Sequence, residues 1–369
     1  MSKAAELANL IGSINAGGGG VNRNVIINGA MNVAQRGTSE TGVGGSNDYF
    51  TVDRWQFANV DTDGRYTVTQ DSSAPAGFAN STKLDCTTAD ASVASTELIK
   101  FRQKIEGQNL QGFAKGTSDA KPFAVSFYVK GNAAATYACE LLDQDNDRQI
   151  TKLFSVTTDW ARVELTFPAD TTGTFDDDNA QSMQIQFVLH SGSAYTSGTL
   201  NSDAWAATSA TERYGGISSF VDSTDRTFFI TGIQMEVGQN ATTFEHEPFE
   251  QTLEKCYRYF QKHVSGDQFT GFFDGSTRST SRAVSNGYKY FKTMRTAPSL
   301  TVSDVGDFSI RDAPNNDKGS PTSVSIGRPG LNFTTLIFDK SSAGLTSGEP
   351  HSVVADNTST AALIFNSEL

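Results

Sequence analysis

Residues able to do chemistry are few and dispersed in this 369-residue chain. Four histidines stand at 190, 246, 263 and 351, with no HExxH pairing. No serine sits on a nucleophile elbow, and no glycine loop is built to cradle phosphate. Two acidic runs, Asp143, Asp145 and Asp147, then Asp176, Asp177 and Asp178, carry oxygen ligands of the type calcium takes. Both runs fall between alternating stretches, where Asp and Asn are ordinary turn formers. No cofactor is therefore expected, with a structural calcium as the alternative. A glycosidase pair of carboxylates assembles only in space. Most acids here lie in turns, so the expectation is a non-enzyme, with a surface-polysaccharide depolymerase as the enzymatic alternative.

Binding chemistry is better represented. Sugars are held by aromatic faces against their C–H surfaces and by polar groups that read hydroxyls. The stretch HSGSAYTSGTLNSDAWAATSATERYGGISSF, 190–220, does not alternate and concentrates such residues. Tyr195, Asp203, Trp205 and Tyr214 are the candidate carbohydrate-binding residues. A plain packing role competes with this, in which Trp205 plugs the open end of a core. Trp55 and Trp160 are expected in core or sheet-face packing, and His190 as a solvated residue on a polar strand face. Phe269, Phe272 and Phe273 would suit either a tip patch or a trimer interface.

These residues need a scaffold, and the alternation supplies one. In PFAVSFYVKG, Phe123, Val125, Phe127 and Val129 share one face. In SMQIQFVLH, Met183, Ile185, Phe187 and Leu189 oppose Gln184, Gln186, Val188 and His190. In ELIKFRQKIEG, Ile99, Phe101 and Ile105 oppose Lys100, Arg102 and Lys104. TDWARVELTFP and RTFFITGIQMEV alternate as well. Period-2 alternation with one wet face predicts antiparallel strands packed on one side. The clusters DQDND, FDDDNA and HSGSAYTSG would turn the chain between them. The predicted fold class is all-β: a jelly-roll-like antiparallel β-sandwich over 24–250 and a smaller β-rich domain over 264–369. QTLEKCYRYFQKH, 251–263, places Leu253, Cys256, Tyr257 and Phe260 at helical spacing and predicts a connecting helix. At the other end, Leu7, Leu10, Ile11 and Ile14 form the stripe of a short amphipathic helix within 1–16. Gly17–Gly20 open a hinge over 17–23. So short a helix is marginal alone and wants a partner, the alternative being a disordered tail.

Composition narrows the function further. The net charge is −12, with 37% apolar and 19% charged residues. An acidic surface repels phosphate backbones, so no nucleic-acid partner is expected. Three cysteines at 86, 139 and 256 lack any CxxC spacing and fit buried thiols better than disulfides or zinc ligands. No apolar run approaches a membrane span and no secretory leader is evident, so the chain is expected to be made in a cytoplasm without membrane insertion.

NVIINGAMNVAQRGTS followed by YFTVDRWQF resembles the start of a β-sandwich module common in bacteriophage tail fibres and related virion proteins. Its pattern is roughly N-x-I-x-N-G-x-x-x-x-Q-R-G, then D-R-W. DWARVELTFPADTTGTF at 159–175 and FFITGIQMEVGQNATTFEHEPFEQTLEKCYRYFQK at 228–262 are similar to its later strands and exit helix. The likeness covers about 24–262. Ala34 stands where many relatives carry an aromatic. FKTMRTAPSLTV resembles the distal β domain of such fibres. The resemblance implies a virion structural protein, a carbohydrate-binding-like module and a homotrimer. Residues 1–16 would anchor it to other tail proteins, and the distal domain would face a host surface glycan. A capsid head fibre or decoration protein of the same fold is the alternative mount.

Overall fold

The computed structural model describes residues 3, 23–312 and 316–369. The expected anchor stripe, Leu7, Leu10, Ile11 and Ile14, and the glycines at 17–20 lie outside the described residues. The chain divides between Thr252 and Leu253 into two compact units, each with its own core.

The first unit is an antiparallel sandwich. Its strands are β1 (Ser39–Val43), β2 (Gln56–Val60), β3 (Arg65–Asp71), β4 (Ser81–Thr88), β5 (Leu98–Glu106) and β6 (Phe123–Gly131). They continue as β7 (Ala135–Asp143), β8 (Arg148–Val156), β9 (Ala161–Phe167), β10 (Gln181–Ser191), β11 (Ala206–Ala207) and β12 (Thr227–Val237). Two six-stranded sheets result among the described residues, ordered β1-β3-β4-β12-β6-β9 and β11-β8-β7-β10-β5-β2. The apolar sets of the alternating strands meet between them. Trp55 stacks on Phe101 at 4.6 Å, and Phe127 meets Phe187 edge-on at 4.9 Å. Each such fully buried ring contributes about 1.5–3 kcal/mol of transfer free energy.

The outer faces depart from expectation. In β10 and β12 the nine residues between the two ends are all buried, so neither strand has a wet side. His190 is 1% exposed, not solvated, and is held between Glu97 (2.9 Å) and Ser219 (2.8 Å). On the second sheet the cause is the stretch 192–220, which lies over the outer face.

The opening NG…QRG…DRW residues form no strand; residues 23–38 are irregular, with a turn at 27–30. The Asn28 side chain donates to the carbonyls of Val33 and Asp53, and its oxygen accepts from Val33 N–H. Trp55 Nε1 donates to Asn28 O, while Gln35 and Arg36 both hold Asp53. Gly29 accepts from Ile233 N–H at 3.0 Å, and a Cβ there would lie 2.0 Å from Ile233 O. The motif is thus a lock joining the start of the unit to β12 and to the residues before β2.

A helix, α1 (Phe249–Tyr257), follows the sandwich; it is shorter than the expected 251–263. Residues 260–264 are instead a strand, because they pair with the C-terminal strand, a hundred residues distant in sequence. The remaining strands are β13 (Phe260–Val264), β14 (Gly271–Ser279), β15 (Arg282–Ser285), β16 (Tyr288–Lys289) and β17 (Ser299–Val302). Then come β18 (Phe308–Arg311), β19 (Ser323–Arg328), β20 (Phe333–Asp339), β21 (Pro350–Ala355) and β22 (Ala362–Asn366). A three-stranded sheet, β13-β22-β17, and a sheet ordered β16-β20-β15-β14-β21-β18, with β19 on β20, enclose Phe308, Phe338, Leu336 and Phe365.

Candidate functional site

Strand register places one polar row across the outer face of the second sheet. Arg102 on β5 lies opposite Gln56 on β2 and Gln186 on β10. Gln186 lies opposite Glu140 on β7, which lies opposite Thr151 on β8. Their sequence neighbours Phe57, Phe101, Phe187, Cys139 and Ile150 fill the core, so alternation alone sends the polar set outward. At the spacing of neighbouring strands, the row runs about 19 Å.

Half of this face is closed. Arg213 of the overlying segment makes a bidentate pair with Glu140 (2.7 and 2.6 Å), and Tyr214 donates its hydroxyl to the same carboxylate at 2.8 Å. Tyr214 packs with Leu98, Ala138 and Val188. Burial raises the Tyr214 hydroxyl well above its ordinary pKa. Burial, and then the Arg213 charge, bring Lys100 beneath it down to about 8.

The other half is open and made of amides. The Arg102 guanidinium donates to Gln56 Oε1 at 2.8 Å and to Gln184 Oε1 at 3.0 Å. Gln184 and Gln181 both donate to Gln144 Oε1. Gln144 is exposed, Arg102 and Gln56 are half-buried, and Gln184 between them is 5% exposed. Both amide atoms of Gln186, Oε1 of Gln149 and the Thr151 hydroxyl are buried without a partner.

The four sequence candidates land differently. Tyr214 is fully buried and Trp205 is 7% exposed, so neither ring presents a stacking face. Trp205 donates to Pro168 O at 2.9 Å and packs on Phe123, the plug reading of that residue. Tyr195 is half-buried, 6.3 Å from Tyr214, and Asp203 is exposed with a bond from Ser202 Oγ. The structure brings Tyr195 and Tyr214 together at the covered half of the face and leaves Trp205 elsewhere. The residues that sequence reasoning passed over are Gln56, Arg102, Gln181 and Gln184. Their signal was amides and arginine on the outward positions of strands whose other face is core.

The acidic runs also have structural occupations. Asp143 pairs with Lys115 at 2.5 Å and accepts from the backbone N–H groups of Asp145 and Asn146. Asp170 takes both Lys115 and Arg148. Asp145 accepts from Asp176 N–H, and Asp178 from Ala180 N–H. Among the described residues no three His, Cys, Asp or Glu side chains are placed to share a metal, and Cys86, Cys139 and Cys256 are buried free thiols.

The first sheet has an aromatic outer face. Phe78 meets Tyr128 at 5.2 Å and Phe244 at 4.9 Å, and half-buried Trp160 meets Phe229 at 6.0 Å. The cleft beside Phe244 and His246 holds about 30 Å³, room for about one water and not for a sugar ring.

No protein-family model matches the chain. No curated protein matches it either. Among solved structures, the enzymatically active domain of bacteriophage CBA120 tailspike protein 4 is 14% identical, with 58% of this chain and 21% of the tailspike covered and a TM-score of 0.30. The chain thus spans about a fifth of that tailspike. The family 11 carbohydrate-binding module of Clostridium thermocellum, in complex with a β-1,3-1,4-mixed-linked tetrasaccharide, is 12% identical over 57% of this chain and 98% of the module, at a TM-score of 0.28. A family 61 carbohydrate-binding module in complex with β-1,4-galactotriose is 10% identical over 58% of this chain and 99% of the module, at 0.29. Likenesses this remote carry no functional argument, and the sandwich assignment rests on the sheets themselves.

Proposed function

We propose that this chain is a non-enzymatic, glycan-binding structural protein of a bacteriophage virion, a tail fibre anchored through residues 1–16. The observation that carries the binding role is the amide row, in which exposed Gln144 and half-buried Gln56 and Arg102 are linked through buried Gln184. Planar amide and guanidinium groups fixed side by side match adjacent sugar hydroxyls, which donate and accept at similar spacing. The virion role rests on the NG…QRG…DRW resemblance and its companion segments.

The non-enzymatic reading is supported by the engagement of the buried acids Glu97, Glu140 and Asp143. Glu140 is held by Arg213 and Tyr214, Glu97 by His190, and Asp143 by Lys115. A hydrolase needs a carboxyl free to give a proton and another free to attack or activate water. A single open row binds weakly, and linked copies in a trimeric fibre would multiply it through effective concentration.

The test is binding of the purified chain to host surface polysaccharide by biolayer interferometry, alongside a reducing-end assay. The expected result is retention on the polysaccharide without new reducing ends, with Arg102→Met weakening retention at least tenfold. Undiminished retention by Arg102→Met would remove the row as the site, and release of oligosaccharides would make the protein a depolymerase.

A further inference from the structure

We infer that the second unit carries its own ligand site, a cationic groove that takes an acidic saccharide, a sugar chain bearing carboxylate, sulfate or phosphate groups. The site is separate from the amide row and does not depend on it.

Charge is the first observation. Residues 253–368 hold 12 Lys and Arg against 11 Asp and Glu, a balance of +1. The rest of the chain, with 17 against 30, therefore carries −13 of the total −12. Within this near-neutral unit four of the twelve cations, Arg278, Arg282, Arg328 and Lys289, line two adjoining hollows. A groove of about 450 Å³ runs over the outer face of β14, β15, β20 and β19, between Arg278, Arg282 and Arg328, with Val284 and Ile337 among its lining residues. It adjoins a hollow of about 400 Å³ lined by Lys289, Phe333 and Arg328. Both are of ordinary ligand-site size.

Pairing is the second observation. Arg282 is neutralised by Asp339, with bonds of 2.6 and 3.0 Å. Among the described residues Arg278, Arg328 and Lys289 form no ion pair. Like charges left together without counter-charges cost free energy, and a bound anion relieves that cost.

Backbone construction is the third. The pairing of β14 with β15 slips between Thr277 and Ser279, which makes Arg278 a bulged residue. The pairing of β19 with β20 slips between Ile326 and Arg328, so Gly327 is the extra residue there. A Cβ at Gly327 would lie 2.7 Å from Ile337 Cδ1, so glycine keeps the lining closed. Bulges re-aim side chains beside functional surfaces, and here two of them flank one groove and carry the unpaired arginines.

Phe333 is 62% exposed, an unfavourable position for a lone phenylalanine and a ready face for sugar C–H groups. An aromatic face beside unpaired guanidinium groups selects a ligand that is both saccharide and anion. Guanidinium takes carboxylate, sulfate or phosphate through paired hydrogen bonds.

The test uses the full chain and isothermal titration with three acidic polymers: oligogalacturonate, dextran sulfate and a phosphate-linked glycerol polymer. The methyl ester of the oligogalacturonate and a twelve-residue oligothymidylate serve as comparisons. At least one acidic polymer should bind, and its affinity should fall as salt rises. Arg278→Gln/Arg328→Gln should weaken it at least tenfold and Phe333→Ala about fivefold, with unchanged circular dichroism. If oligogalacturonate is the binder, its methyl ester should be at least tenfold weaker. Binding of none of the three polymers, equal affinity for an uncharged ester, an unaffected double variant, or tighter binding of the oligothymidylate would each overturn the proposal.

Discussion

Trp205 and Arg102 exchange the roles their types suggest. An aromatic in a long loop reads as a stacking platform, yet Trp205 is enclosed by Phe123, Pro168 and the Lys115 ammonium, 5.5 Å from its ring. Trp205→Ala should therefore cost about 3–5 kcal/mol of stability, measured by urea denaturation, while the folded fraction keeps full glycan affinity. Lost affinity with unchanged stability would restore it as a ligand contact. His263 gives a second prediction at this scale. Burial pushes its pKa down to about 4, against an ordinary value of 6.5. The folded state thus refuses a proton that the unfolded state accepts. Stability is full above pH 6.5, falls as pH drops from 6.5 to 4, and levels below that. The loss is as much as about 3 kcal/mol, and His263→Gln should flatten it in acid denaturation of the second unit. An unchanged slope would refute the assignment. Sequence showed a histidine at 263 but not its surroundings, since Tyr288 and Phe291, which bond to it and stack on it, come from another stretch.

Elements were legible wherever one strand face is core. The alternation in 123–130 and 183–190 matches β6 and β10, because period 2 follows from backbone pleating alone. What the alternation could not show is the covering of the opposite face, which depends on a segment without periodicity. That segment is tied down by Arg213 and Tyr214 on Glu140, and this tie can be tested. Arg213→Met leaves the Glu140 carboxylate buried beside one hydroxyl and should cost about 3–5 kcal/mol. Proteolysis between 196 and 212 should rise in parallel. Arg213→Met/Glu140→Leu should regain most of the stability. A single variant as stable and as protease-resistant as the wild type would mean the segment is held by other contacts. The helix expected over 251–263 illustrates the same limit: Cys256 and Tyr257 are helical as their spacing suggests, but the pairing of Phe260–Val264 with Ala362–Asn366 takes Phe260 and the residues after it into a sheet.

At the scale of the molecule, the sequence carried the all-β class. It also carried the NG…QRG…DRW set, whose work is now visible as the lock from Asn28 and Gly29 to Asp53, Trp55 and Ile233. It did not reveal that acidity is confined to one unit. The fibre reading predicts a solution mass of three chains by light scattering, and a variant lacking residues 1–16 that stays β-rich but fails to join particles. A monomer, or a truncated protein that still assembles, would contradict it.

The central claim, a sandwich that grips sugar through its amide row without cutting it, is tested most directly by a crystal structure of the chain soaked with an oligosaccharide from the host surface. Uncleaved saccharide lying across Gln56, Arg102 and Gln144 is the predicted result. Saccharide found only elsewhere on the sandwich, or shortened products in the soak, would contradict it.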